Sequence, residues 1–136
     1  MLLAWEPHTS RSSRAMTHAD MARELLAQAL DERQYQRWRP VFAFYAALHA
    51  VEHKAEERFG NHEIRNAAVA NQERFQRIRS FYKKLYDGSK LMRYHPEEAP
   101  PNAVECAAAL AKAEGILKWA GITPPEAPPA SGHPAT

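Results

Sequence analysis

The sequence predicts an all-α fold, an up-and-down bundle of four to five helices. Three observations predict it. Apolar residues recur at three- and four-residue spacing in successive segments, and helix-start signatures stand in front of several of them. Glycine is scarce, 5 in 136 residues, and Gly60 and Gly121 fall where the apolar stripes end. The hydrophobic share of 45% is ordinary for a globular chain, and the length leaves room for one domain, placed at 17–121.

Residues 1–16 read as a flexible arm: Pro7 and the run Ser10-Arg11-Ser12-Ser13-Arg14 show no periodicity. Thr17-His18-Ala19-Asp20 then has the form of a capping box, a hydroxyl for the N3 amide answered by a carboxylate three residues on. Behind it Ala22, Leu25, Leu26, Ala29 and Leu30 trace the stripe of a first helix expected to end near Arg33. Gln34–Arg39 makes a turn. Pro40 suits the first turn of a second helix, where its missing N–H costs nothing. From Val41 to Val51 that helix is apolar nearly all round, so neighbours must enclose it; it is the central element, expected to reach Phe59 and to stop at Gly60 as a C′ residue.

A short third helix spans about 61–69. Phe75, Ile78, Tyr82, Leu85, Tyr86, Ser89 and Met92 give a longer fourth one, which Gly88 is expected to bend or split. His95-Pro96 and Ala99-Pro100-Pro101 end it. Asn102 with Glu105 repeats the capping-box pattern, and Val104, Ala108, Ala111 and Leu117 mark a last helix stopping at Gly121. Residues 122–136 hold five prolines and no aromatic residue, and read as a disordered Pro-rich tail.

The lone Cys106 excludes an intrachain disulfide and reads as a packing residue. Met1-Leu2-Leu3-Ala4-Trp5 is cut short by Glu6-Pro7, too brief for a signal-peptide core, and no run approaches the ~20 apolar residues of a membrane span. A cytoplasmic protein without a membrane partner is the expectation. Net charge is only +2, but residues 62–95 carry eight Lys or Arg against three acidic residues, which makes them the anion-facing third of the chain.

Three groups of residues can carry chemistry. His49 and His53, one turn apart on the central helix, share a face, and His62 follows its end; such imidazoles can chelate a metal. Otherwise His49 is a half-buried polar residue and His53 is solvated. His62, Arg65 and Asn66 lie within two helical turns, and a titrating imidazole beside a fixed cation is what ribonuclease chemistry requires. The structural alternative has Asn61 and His62 capping a helix while Arg65 pairs with a carboxylate of the preceding helix, such as Glu56. Arg74, Arg77 and Lys84, with Phe81 and Tyr82 between them, can track a nucleic-acid backbone, unless those rings are core. No cofactor-binding motif is present.

Phe44-Tyr45-Ala46-Ala47-Leu48-His49-Ala50, then Gly60-Asn61-His62-Glu63-x-Arg65-Asn66, then Leu85-Tyr86-Asp87-x-Ser89-x-x-x-Arg93-Tyr94, together resemble the HEPN (higher eukaryotes and prokaryotes nucleotide-binding) superfamily, in particular its small stand-alone bacterial members. The resemblance covers about residues 17–95, with 102–120 as the closing helix. It implies a helical bundle, a homodimer, and either metal-independent RNA cleavage or a catalytically silent module that binds RNA or a protein. Toxin–antitoxin and phage-defence systems are the implied settings, with a cognate antitoxin such as a small nucleotidyltransferase as partner. Carried over residue by residue, it makes Arg65, His62 and Asn66 the catalytic candidates, with Tyr45 and His49 in support and Arg93 beside Arg74, Arg77 and Lys84 as RNA contacts. Cleaving members separate the His from the Arg by four to six intervening residues. Here the corresponding positions for the His are Ala70, Asn71 and Gln72, and His62 precedes the Arg instead.

Overall fold

A computed structural model describes residues 15–95, 97 and 102–126. Among them are five α-helices and no strand: α1 (His18–Leu30), α2 (Arg39–Ala55), α3 (His62–Asn71), α4 (Arg79–Tyr94) and α5 (Ala103–Trp119), with a 3-10 helix over Glu73–Ile78 leading into α4. Side-chain contacts fix the directions. His18 at the start of α1 meets His49 near the end of α2, while Arg39 at the start of α2 donates to the carbonyl of Ala29. On α4, Tyr82 and Tyr86 pack on Phe44, and Leu91 and Met92 near its end share a groove with Pro40 at the start of α2. Cys106 at the start of α5 touches Gln36, and Trp119 at its end lies under Lys54. Helices α1, α2, α4 and α5 therefore alternate in direction around the central α2, and the short α3 crosses one flank.

Helix α2 is central because of its composition. Ten of its seventeen residues are buried, among them four alanines, Ala43, Ala46, Ala47 and Ala50, and the larger Phe44, Leu48 and Val51. Small residues on several faces let neighbouring helices approach closely, so one helix can be packed against three others. Leu26 from α1, Phe75 from the 3-10 helix, Tyr82 and Leu85 from α4, and Ile116 and Leu117 from α5 complete the core.

Both capping boxes form as the sequence predicts: Thr17 Oγ1 accepts from the Asp20 amide at 3.0 Å, and Asn102 Oδ1 from the Glu105 amide at 2.8 Å. Several boundaries differ. Helix α1 stops at Leu30 rather than near Arg33, because the Asp31 carboxylate bonds the Arg33 amide and guanidinium and starts the turn. Helix α2 ends at Ala55, short of Gly60, through Glu56 in the left-handed region (φ 54°). The early reversal turns Phe59 inward, where it is buried against Phe75. Gly60 still has positive φ, 88°, but in the turn after Phe59.

The segment from Phe75 begins as a 3-10 helix, whose three-residue repeat aligns the buried Phe75 and Ile78. Gly88 does not split α4, which is continuous. On α5 the expected stripe is displaced: Val104 is 77% exposed, and the buried face is Cys106, Ala113, Ile116 and Leu117. Alanine on every side of this helix leaves its sequence without a marked face. Its C-terminus does stop at Gly121 (φ 82°). The Ile122 amide donates to the Leu117 carbonyl and the Gly121 amide to that of Lys118, a Schellman closure. That closure draws Ile122, read as the first tail residue, into the core, and Thr123 accepts from Arg23. Residues 1–14 of the arm and 127–136 of the tail lie outside the described residues. No described helix is long and apolar enough to cross a membrane.

Candidate functional site

Among the described residues the buried charged ones are Glu52 and Arg65, 5% and 7% exposed. Glu52 sits on the enclosed face of α2, one turn after His49. Arg65 projects from α3, which Asn61 starts by accepting from the Ile64 amide at 2.8 Å. Arg65 Nε and Nη2 both donate to Glu52 Oε2, at 3.0 and 2.8 Å. The expected acidic partner in this position was Glu56. Glu56 lies past the end of α2 and is exposed, whereas Glu52 is one turn earlier, inside the bundle.

Each member of this pair has a histidine attached. Arg65 Nη1 lies 3.1 Å from His62 Nδ1. A guanidinium only donates, so Nδ1 must hold a lone pair and the neutral ring carries its proton on Nε2. Burial, then the positive charges of Arg65 and Arg93, depress the His62 pKa below its ordinary 6.5. On the other side His18 Nε2 lies 3.4 Å from Glu52 Oε1, and His18 Nδ1 faces His49 Nδ1 at 2.9 Å. Two ring nitrogens at that distance hold one proton between them. Desolvation, with His18 and Arg65 adding to it and Glu52 opposing, also lowers the His49 pKa. The result is one line of polar groups through the bundle: His49, His18, Glu52, Arg65, His62.

Around His62 the site opens toward aromatic rings. Phe44, Tyr45 and Tyr86 have centroids 5.8, 6.1 and 5.7 Å from the imidazole. Tyr86, Lys90, Arg93 and Tyr94 share one face of α4 at helical spacing. Lys90 Nζ is 6.0 Å from the Tyr86 ring, and the Arg93 guanidinium is 5.7 Å from Tyr45 and 5.0 Å from Tyr94. Arg93 Nε is held by Ser89 Oγ at 3.2 Å, while Tyr94 stays 62% exposed.

The other expected site residues are dispersed. Asn66 follows Arg65 on α3 but lines a separate cleft against α4, with its Oδ1 buried and unpartnered. Arg74 is engaged by Glu57 at 2.8 Å and stacks on Phe75. Arg77 is exposed on the 3-10 helix, and Lys84 lines a groove between α4 and α5. Tyr82 is core, while Phe81 is partly exposed under Lys112. His49, His53 and His62 do not converge: His53 is exposed, His49 pairs with His18, and His62 with Arg65. Among the described residues no group of three or more His, Cys, Asp or Glu side chains could hold a metal ion. Sequence reasoning did not pair Glu52 with Arg65, although a carboxylate on an otherwise enclosed helical face was the signal. It also missed the Tyr86–Lys90–Tyr94 repeat at four-residue spacing.

No family model matches this chain, and no curated protein or solved structure is significantly similar to it.

Proposed function

We propose that the chain is a HEPN-like helical module that binds single-stranded RNA on the Tyr45–Tyr86–Arg93–Tyr94 face without cutting it. The observation that carries this reading is the state of Arg65. Its guanidinium is buried and committed to Glu52 and His62, so it has little capacity left to meet a developing phosphorane charge. The tautomer it imposes on His62 also occupies the lone pair a general base would use. What stays accessible is a row of rings interleaved with Lys90 and Arg93, a combination that stacks bases and neutralises phosphates. A homodimer in a toxin–antitoxin or phage-defence setting, with a cognate antitoxin as partner, belongs to the same reading.

The test is binding of a labelled short RNA strand by fluorescence anisotropy across a salt series, run beside a cleavage assay on the same RNA. Binding that weakens with salt, is lost in Arg93→Ala with Tyr94→Ala, and leaves the strand intact is the expected result. Cleavage abolished by Arg65→Lys and His62→Gln would replace this reading with the second one, a metal-independent endoribonuclease. The 3.1 Å contact between those two side chains is what favours that alternative.

A further inference from the structure

The cleft that receives Asn66 shares the Tyr86 ring with the His62 face, and it has unmet chemistry of its own. It lies between α3 and α4, holds about 290 Å³, and is lined by Asn66, Val69, Arg79, Tyr82, Lys83 and Tyr86 among others. Two buried polar atoms lack a hydrogen-bond partner among the described residues, the Asn66 Oδ1 and the Tyr82 hydroxyl, and both residues line this cleft. Tyr82 is only 2% exposed. A buried polar group left unpaired is costly, and two lining one cavity indicate a place where something else completes them.

Behind the wall the Tyr82 oxygen faces the Arg65 guanidinium, so the free capacity of this hydroxyl is its proton, and the donors of the nearby cations are engaged. Lys83 pairs with Asp87 at 2.9 Å, and Arg79 donates to the carbonyls of Val69 and Gln72 at 2.8 and 2.9 Å. What is left inside is one acceptor, Asn66 Oδ1, one hydroxyl that can donate, and walls of Val69, Ala70 and the Tyr86 ring. The volume is at the small end for ligand pockets. We propose that this cleft binds a small, uncharged, planar heterocycle of the lactam or imide class. Its N–H would donate to Asn66 and its carbonyl would accept from Tyr82. Two sources share that chemistry, a free heterocycle and an unstacked base of an RNA strand. The site itself does not depend on the RNA-binding proposal.

The probe is uracil, titrated into the full chain and followed by amide and side-chain NMR shifts. Its control is 1,3-dimethyluracil, which keeps the carbonyls but has no N–H. Saturable millimolar binding with shifts at Asn66 and around Tyr82 is expected. Tyr82→Phe and the dimethylated probe should each weaken it about tenfold, the scale of one hydrogen bond. Tyr82→Phe keeps the packed ring and removes a hydroxyl that donates to no group of the described residues, so a melting temperature close to wild type shows that the variant is folded. No saturable shift with uracil, equal binding of the dimethylated probe, or a Tyr82→Phe variant that binds as well as wild type would each overturn the site.

A second arm identifies the source. If oligouridylate moves the same resonances and an abasic strand does not, the occupant is a strand base. If uracil binds and oligouridylate has no affinity anywhere on the protein, the occupant is a free heterocycle, and it is the RNA-binding proposal that fails.

Discussion

Arg65 is clamped onto a single carboxylate oxygen of Glu52, at 2.8 and 3.0 Å, with both side chains more than nine-tenths buried. The pair joins α3 to α2 across the least apolar part of the interior. Burying two charges gains little net stability, but breaking such a pair leaves one charge without compensation. Glu52→Ala and Arg65→Ala should each cost about 3–5 kcal/mol, read from urea denaturation. The double variant Glu52→Leu with Arg65→Met should recover most of that loss. Additive losses in the double variant would show that the two side chains act independently.

Stability should fall on the acid side of neutrality. The folded chain holds the pKa of His49 and of His62 below 6.5, so below that pH the unfolded chain binds more protons than the folded one. The contribution of these rings is therefore complete above about pH 6.5 and is lost as pH drops through their lowered values. The urea midpoint should be higher at pH 7.5 than at pH 5.5, and His49→Gln combined with His62→Gln should flatten the profile. A midpoint that rises on acidification would contradict the arrangement.

Gly88 stands in an unbroken helix, and a β-carbon added there meets nothing within 4 Å. Gly88→Ala should stabilise the chain by about 0.5–1 kcal/mol through helix propensity alone. At Gly115 the same change brings the new carbon to 3.2 Å from the Phe81 ring, so the gain there should be smaller. Thermal melts of the two variants side by side provide the comparison.

Tyr94 and Arg93 should matter to RNA binding and little to folding, since Tyr94 is exposed with the Arg93 guanidinium over its ring. Tyr94→Ala should weaken binding by about 1–3 kcal/mol, the scale of one stacked base. Arg93→Gln should flatten the salt dependence by about one phosphate contact. Anisotropy titrations at several salt concentrations separate the two effects.

Cys106 is buried, donates weakly to the Gln36 carbonyl at 3.4 Å, and has its pKa raised by desolvation. A thiol reagent at mildly alkaline pH should label it slowly in the native chain and at once in urea. Fast native labelling would mean that the first turn of α5 opens readily.

The sequence by itself determined the helices, the capping boxes that start α1 and α5, and the central place of α2. These are local properties: a 3.6-residue period, a side chain three residues from an amide, and a run of alanine and aromatic residues that must be enclosed. It also brought His62 and Arg65 together correctly, because they are one helical turn apart. Tertiary structure alone decided the rest. Glu52 meets Arg65 from 13 positions away and His18 meets His49 from 31, and such pairings depend on how two helices cross. The Ala-rich α5 hides its buried face for a related reason, since residues of one size and polarity carry no directional signal. The expected metal trio failed on the same ground. Residue types can suggest a ligand set or a phosphate track, but only the packing of the helices fixes which side chains share a space.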